Sequence, residues 1–377
     1  MLKWVQSGLS AVAGTAEPEY GKEAIHTITD SIKNGAKTWR ETNAKDFSWL
    51  TPGFTNVETQ TFYFTCLKSG LCGFAQVIHS NVMGVHTTAQ FTFRLFHAEE
   101  GREVDKIWTS TKLENFRTEG PNFYADNLSI VLNEDDNQYV IKSSVTKESI
   151  VELTIDRLTP GVIFGEDGTT YYGDDLKNPW GSMRHLFWPR CNVKGIIITP
   201  AKSFEIEGLT MFVMAMQGMK PHHAAKSWNF LNFQSENFSA VQMEFTTPRS
   251  YACTKVNIGI LCEKDKILLA SIDNEVIHED SQVDEVGWPV PKAITFKYDS
   301  LNDDKQEIVA TVKGKLNTLV ERIDVMAEIP QFVKNIVSGV AGAKPYIYQF
   351  CNEFKIKVEG REEETGIAFN EATFISD

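Results

Sequence analysis

The chain has 377 residues, longer than a single hydrophobic core usually grows, so two domains are the starting expectation. Apolar residues make up 42% and charged residues 23%, an ordinary globular balance, and no apolar run approaches the ~18 residues of a membrane span. The net charge of −13 disfavours non-specific nucleic-acid binding, which needs Lys and Arg against phosphates, but it leaves open a membrane contact through a local apolar surface.

The chain opens MLKWVQSGLSAVAG. On a helical wheel Met1, Leu2, Val5, Leu9, Val12, Ala13 and Ala16 share one arc, Lys3, Ser7, Ser10 and Gly14 lie opposite, and Trp4 sits at the border. This predicts an amphipathic helix within 1–20, stopped at Pro18, with Met1, Leu2, Trp4, Val5, Leu9 and Val12 as the membrane-facing set. With one Lys in the stretch, the apolar arc dominates, and membrane choice would follow lipid packing rather than charge. A second helical period runs through Ile25, Ile28, Ile32, Ala36 and Trp39, so 21–53 reads as a helical segment that ends in a linker at Trp49–Gly53.

From residue 57 the texture changes to strands: TQTFYFTCL, CGFAQVIHS, TTAQFTFRLFHA, NLSIVLN, QYVIKSSV, SIVELTIDRL, KGIIITP and EGLTMFVMAMQG. Turn signals such as Lys68-Ser69-Gly70 and Glu166-Asp167-Gly168 punctuate them. After about residue 220 a second set begins, AVQMEFTT to TLVERIDVMAEI, and PYIYQFCNEFKIKVEG closes it. Between them Pro330, Phe332, Val333, Ile336, Val337 and Val340 predict a helix over 330–342. The reading is an all-β protein: two tandem lipocalin-like antiparallel barrels, 54–220 and 221–377, behind an N-terminal amphipathic helix.

The candidate ligand pocket is drawn from apolar and aromatic stretches. Met211–Met216 is apolar on both strand faces, as a strand between two layers would be, and Phe91, Phe93 and Met214 are its pocket candidates. NPWGSMRHLFWPRCNVKG supplies His185, Trp188 and Arg190. A His between two Arg is a poor metal ligand and a poor base, so these residues could meet a lipid headgroup, plug the barrel or bind the other domain. Trp228 follows His222-His223 as an aromatic anchor of the inter-barrel connection. Six cysteines, at 66, 72, 191, 253, 262 and 351, show no metal or redox spacing. No catalytic pattern, metal site or cofactor motif is present, so no cofactor is expected.

Long stretches resemble the fungal Survival factor 1 family over the whole chain. They are MLKWVQSGLSAVAGTAEPEYGKEAIH, TNVETQTFYFTCLKSGLCGFAQVIHSN, WGSMRHLFWPR and EGLTMFVMAMQGMKPHHAAKSWNFLNFQ. The resemblance implies ceramide or a related sphingolipid as ligand and non-vesicular movement of ceramide from endoplasmic reticulum to Golgi. It also implies N-terminal docking on Golgi membrane with an acetylated initiator Met, survival under oxidative stress, and locations in cytoplasm, nucleus and at the Golgi and endoplasmic reticulum surface. More distantly, Gly208, Gln217, Gly218 and Trp228 are placed as in two-barrel relatives of carotenoid 1,2-hydratase. The competing reading is therefore a hydratase-like enzyme acting on an apolar lipid or isoprenoid.

Overall fold

The computed structural model describes residues 19–50, 56–82, 86–99, 106–219, 221–328 and 344–376. The expected helices over 1–16 and 330–342 lie outside these residues. Strands dominate, and every pairing between them is antiparallel. Alternation sets their faces. In Gln138–Ser143, Tyr139 and Ile141 point inward while Lys142 is exposed, and its neighbour Leu128–Leu132 buries Leu128, Ile130 and Leu132 in the same way.

Among the described residues the strands form two large curled sheets. The first runs from Ile107–Lys112 through His86–His97, Leu71–Val82, Asn56–Cys66, Ser203–Gln217, Gly181–Ile198, Ile150–Arg157, Gln138–Ser143, Leu128–Leu132 and Asn122–Ala125 to Arg117–Glu119. The second runs from Lys266–Ser271 through Lys255–Glu263, Phe238–Thr246, Ser227–Gln234, Glu364–Phe374, Tyr346–Val358, Glu307–Lys315 and Ala293–Leu301 to Asn274–Glu279. The connection between them holds the short helix Pro221–Ala224.

The expectation of two tandem lipocalin-like barrels is corrected. Among the described residues no backbone ladder joins the end strands of either sheet, so both are curled and open. In the first, Arg117–Glu119 is only three residues long, and the edge strand Ile107–Lys112 meets the body through the Thr109 and Ser149 hydroxyls, 2.7 Å apart. In the second, the Asn274 side chain donates to the Ser271 carbonyl at 2.8 Å, and Ser271 Oγ accepts from the Asp273 amide at 3.0 Å. These local bonds occupy groups at the turn where Lys266–Ser271 and Asn274–Glu279 would have to pair.

Helix is scarcer than the sequence suggested. The longest described helix is the six-residue Ile28–Lys33, capped by the Thr27 hydroxyl, which accepts from the Asp30 amide at 2.9 Å. Elsewhere in the expected helical segment lie the short 3-10 turns Lys22–Ala24 and Ala44–Phe47 and two strands: Ile25–His26 pairs with Tyr171–Tyr172, and Trp39–Glu41 pairs with Val162–Phe164. Long-range pairing overrides a local period that one helical turn does not outweigh.

Three apolar clusters result. One fills the concave face of the first sheet, one fills that of the second, and the third is the seam between them. The strand Ser203–Gln217 divides two of these: Phe212 and Met214 face the first interior, while Met211 and Val213 face the seam.

Candidate functional site: the interior of the first sheet

The floor of the first interior is aromatic. Phe62 stacks on Phe212 with ring centroids 4.5 Å apart, Tyr139 lies 5.1 Å from Trp188 and 5.0 Å from Phe212, and Phe47 closes edge-on against Trp188 at 5.8 Å. Phe64 stacks on Phe93 at 6.2 Å. All are buried. Two polar atoms break this lining: Tyr139 Oη and Trp188 Nε1 have no hydrogen-bond partner among the described residues. Burial pushes the Tyr139 phenol well above its usual range, so it remains a neutral hydroxyl.

One end of the same interior is polar. Period two carries the inward face of Asn56–Cys66 from Phe64 and Phe62 to Gln60, Glu58 and Asn56, each at most 1% exposed. Register places His79 opposite Glu58 and Asn81 opposite Asn56. Glu58 Oε1 accepts from the Leu50 amide at 2.6 Å, and Gln60 Nε2 donates to the Pro121 carbonyl at 2.8 Å. Gln60 Oε1, His79 Nδ1 and both amide atoms of Asn56 have no such partner. His79 Nδ1 lies 3.8 Å from Glu58 Oε2. Burial lowers the His79 pKa, so the imidazole is neutral near pH 7 and the contact is not then an ion pair. Trp49 and Phe116 flank His79, with centroids 6.1 and 5.6 Å away.

Buried polar groups are normally satisfied, so this many open donors and acceptors beside an aromatic floor suit an amphiphile. An amide or hydroxyl headgroup would find partners in Asn56, Gln60 and His79, and a hydrocarbon chain would find apolar surface on Phe62, Tyr139 and Phe212.

The sequence-derived pocket residues divide between two places. Phe91, Phe93, Trp188 and Met214 are together in this interior. His185 and half-buried Trp228 lie at the seam, their rings 6.1 Å apart. Burial brings the His185 pKa down to about 4. Arg190 crosses to the second sheet: Nη1 donates to the carbonyls of Ser235 at 3.1 Å and Phe238 at 3.0 Å and to Ser239 Oγ at 2.7 Å, and Nη2 donates to the Glu236 carbonyl at 2.5 Å.

A bulge gives Arg190 this direction. Pro189 has no N–H for a ladder, and the register shifts between Trp188 and Cys191. Trp188 and Cys191 therefore both face inward although they are three residues apart.

Asn56, Glu58, Gln60 and His79 were missed in the sequence. The signal was available: in NVETQTFYF the alternate positions 56, 58 and 60 continue the face of Phe62 and Phe64.

An open cleft of about 380 Å³ sits elsewhere, between Ala98 of the first half and Lys315, Asn317, Thr318, Asn352 and Glu353 of the second. Asn352 Oδ1 there accepts from the backbone amides of Asn317 and Thr318. Among the described residues no cluster of His, Cys, Asp or Glu could hold a metal, and no helix is long and apolar enough to cross a membrane. Burial pushes the Cys66 thiol up to about 11 and Cys262 up to about 12, which keeps both protonated and poorly nucleophilic.

Two consecutive curled antiparallel sheets with an apolar interior define a class with solved members. The chain is similar to CghA, crystallised with Sch210972, at TM-score 0.62 and 10% identity over 85% of this chain and 89% of that one. It is also similar to kievitone hydratase from Nectria haematococca at TM-score 0.53 and 12% identity, over 90% and 96% of the two chains. At such identities the likeness shows the fold alone. The particular family is shown by sequence: residues 2–376 match the Svf1 family, and the chain belongs to it. Among the relatives, "Ceramide-binding protein SVF1" of Debaryomyces hansenii is 70% identical over the full length of both chains. The protein of the same name from Candida albicans is 63% identical, again over the full length of both.

Proposed function

We propose that the chain binds ceramide in the interior of the first sheet and carries it between endoplasmic reticulum and Golgi membranes. The observation that carries the reading is the run of inward polar side chains, Asn56, Glu58 and Gln60 with His79, continuous with the aromatic floor. Ceramide suits this lining. Its amide and hydroxyls are neutral donors and acceptors, and its chains gain about 0.8 kcal/mol per buried CH₂. The names of the relatives support ceramide as the ligand class. The two membranes follow from the family resemblance, as does a link to survival under oxidative stress. The apolar residues Met1, Leu2, Trp4, Val5, Leu9 and Val12 would supply the membrane contact. The reading is a binding protein and not an enzyme, and a fold likeness to a hydratase gives no warrant for hydration here.

Asn56→Leu tests this. The Asn56 amide has no partner among the described residues, so an apolar residue of similar size should leave the empty protein as stable as before or more so. Ceramide affinity, measured by native mass spectrometry of the full chain after lipid removal, should fall about tenfold for the loss of two neutral hydrogen bonds. Unchanged affinity in a folded variant would refute the placement.

A further inference from the structure

The second sheet has its own polar set inside, which the ceramide reading does not use. Asn370, on Glu364–Phe374, shares the inward face of Ala368, Ala372 and Phe374. It is fully buried, and neither its amide oxygen nor its amide nitrogen has a partner among the described residues. Gln242, on Phe238–Thr246, shares the inward face of Phe238 and Ala240, is also fully buried, and leaves Oε1 open while Nε2 donates to Asn257 Oδ1 at 3.3 Å. Register sets both residues opposite Leu231, so they lie in one row across three strands. On the next strand Gly259 lies opposite Gln242, and its bare Cα makes room for Asn274, whose side-chain nitrogen would be 2.8 Å from a Cβ built there. Asn274 Oδ1 is open as well.

The row beside it is already satisfied. Asn257 Nδ2 donates to Glu244 Oε2 at 2.9 Å, Lys255 Nζ lies 3.3 Å from the same oxygen, and His278 Nε2 and Asn229 Oδ1 are 2.7 Å apart. The local charge is thus balanced between Glu244 and Lys255, and burial with nearby Lys255 lowers His278 and keeps it uncharged near pH 7. The open groups number one donor, Asn370 Nδ2, and three acceptors, the side-chain oxygens of Asn370, Gln242 and Asn274. A ligand for this row must be neutral and rich in donors. A carboxylate is disfavoured by three carbonyl oxygens and the nearby Glu244. Around the row stand Leu231, Phe233, Phe296, Tyr298 and Phe350, an apolar wall suited to a hydrocarbon chain.

We infer that the interior of the second sheet is a separate binding site for a neutral, hydroxyl-bearing long-chain lipid, held by Asn370, Gln242 and Asn274. The inference stands on different residues from the ceramide reading and does not depend on it. The probe is 1-monooleoylglycerol, with oleate as the charged control, titrated into the delipidated full chain and read by native mass spectrometry. One saturable molecule per chain is expected, with oleate at least tenfold weaker. Asn370→Leu should weaken the glycerolipid about tenfold, Gln242→Met should weaken it severalfold, and Asn56→Leu should leave it unchanged. No uptake, oleate binding as tightly, or affinity untouched by both second-sheet substitutions in folded protein would overturn the inference. So would loss in Asn56→Leu, which would place the lipid in the first sheet. Ordered waters alone on Asn370 in a crystal grown with the lipid would overturn it as well.

Discussion

Arg190→Met removes the strap between the two halves. The guanidinium reaches three carbonyls and one hydroxyl around the turn at Ser235–Ser239, and only 4% of the residue is exposed. Burial pulls the Arg190 pKa down, yet the group stays charged because its ordinary value is so high. Each hydrogen bond from a charged donor is worth roughly 1.5–3 kcal/mol, and each buried carbonyl left without a donor costs about 1–3 kcal/mol. These figures overlap, because water regains part of the turn and the guanidinium is no longer desolvated. The net loss expected is about 3–5 kcal/mol, as for other buried charges that lose their partners. Urea unfolding followed by tryptophan fluorescence reads it directly. Arg190→Lys should fall between, since an ammonium keeps the charge but cannot span four acceptors as a planar fork does. A Met variant within about 1 kcal/mol of the wild type would refute the strap.

Two further outcomes concern pH and packing. His185 titrates near 4 in the folded chain and ordinarily near ~6.5, so as pH falls the unfolded chain takes up its proton first. The stability contribution is full above about pH 6.5 and is lost on the way down to pH 4, by roughly 3 kcal/mol in total. Urea midpoints at pH 7.5 and 5 should diverge in the wild type and diverge less in His185→Phe, where the lowered His79 and His278 still contribute, and an equal gap in both would sink the assignment. At Gly73 a Cβ would lie 2.1 Å from the Arg94 carbonyl oxygen and 2.4 Å from Phe64 Cζ. Gly73→Ala must therefore move backbone as well as ring and should cost at least about 1–3 kcal/mol in thermal unfolding. An unchanged midpoint would show that the strands part freely there.

Strands were the most legible part of the sequence. Alternation in QYVIKSSV and SIVELTIDRL marked both the element and its inward face, and Tyr139, Ile141, Leu153 and Ile155 lie where that pattern puts them. The two-faced run Met211–Met216 was legible as a strand between two layers, and it divides the first interior from the seam. Less legible was the run from Ile25 to Trp39, where a helical period masked two short strands whose partners are more than 100 residues away. Local periodicity cannot register such partners. Arg190 could not be placed for a related reason: its role depends on a bulge at Pro189 and on carbonyls of a distant turn.

By itself the sequence determined the β character, the inward apolar positions and, through unbroken stretches, the family. These are properties of neighbouring residues, and a period of two or a run of identities displays them directly. The tertiary structure decided three things: that the sheets stay open, that the pocket candidates divide between an interior and a seam, and that buried amides gather at Asn56 and Gln60 in one sheet and at Asn370 and Gln242 in the other. Each depends on register between strands far apart in the chain. A polar residue in a strand reads as solvent-facing until the opposite strand shows which face is covered.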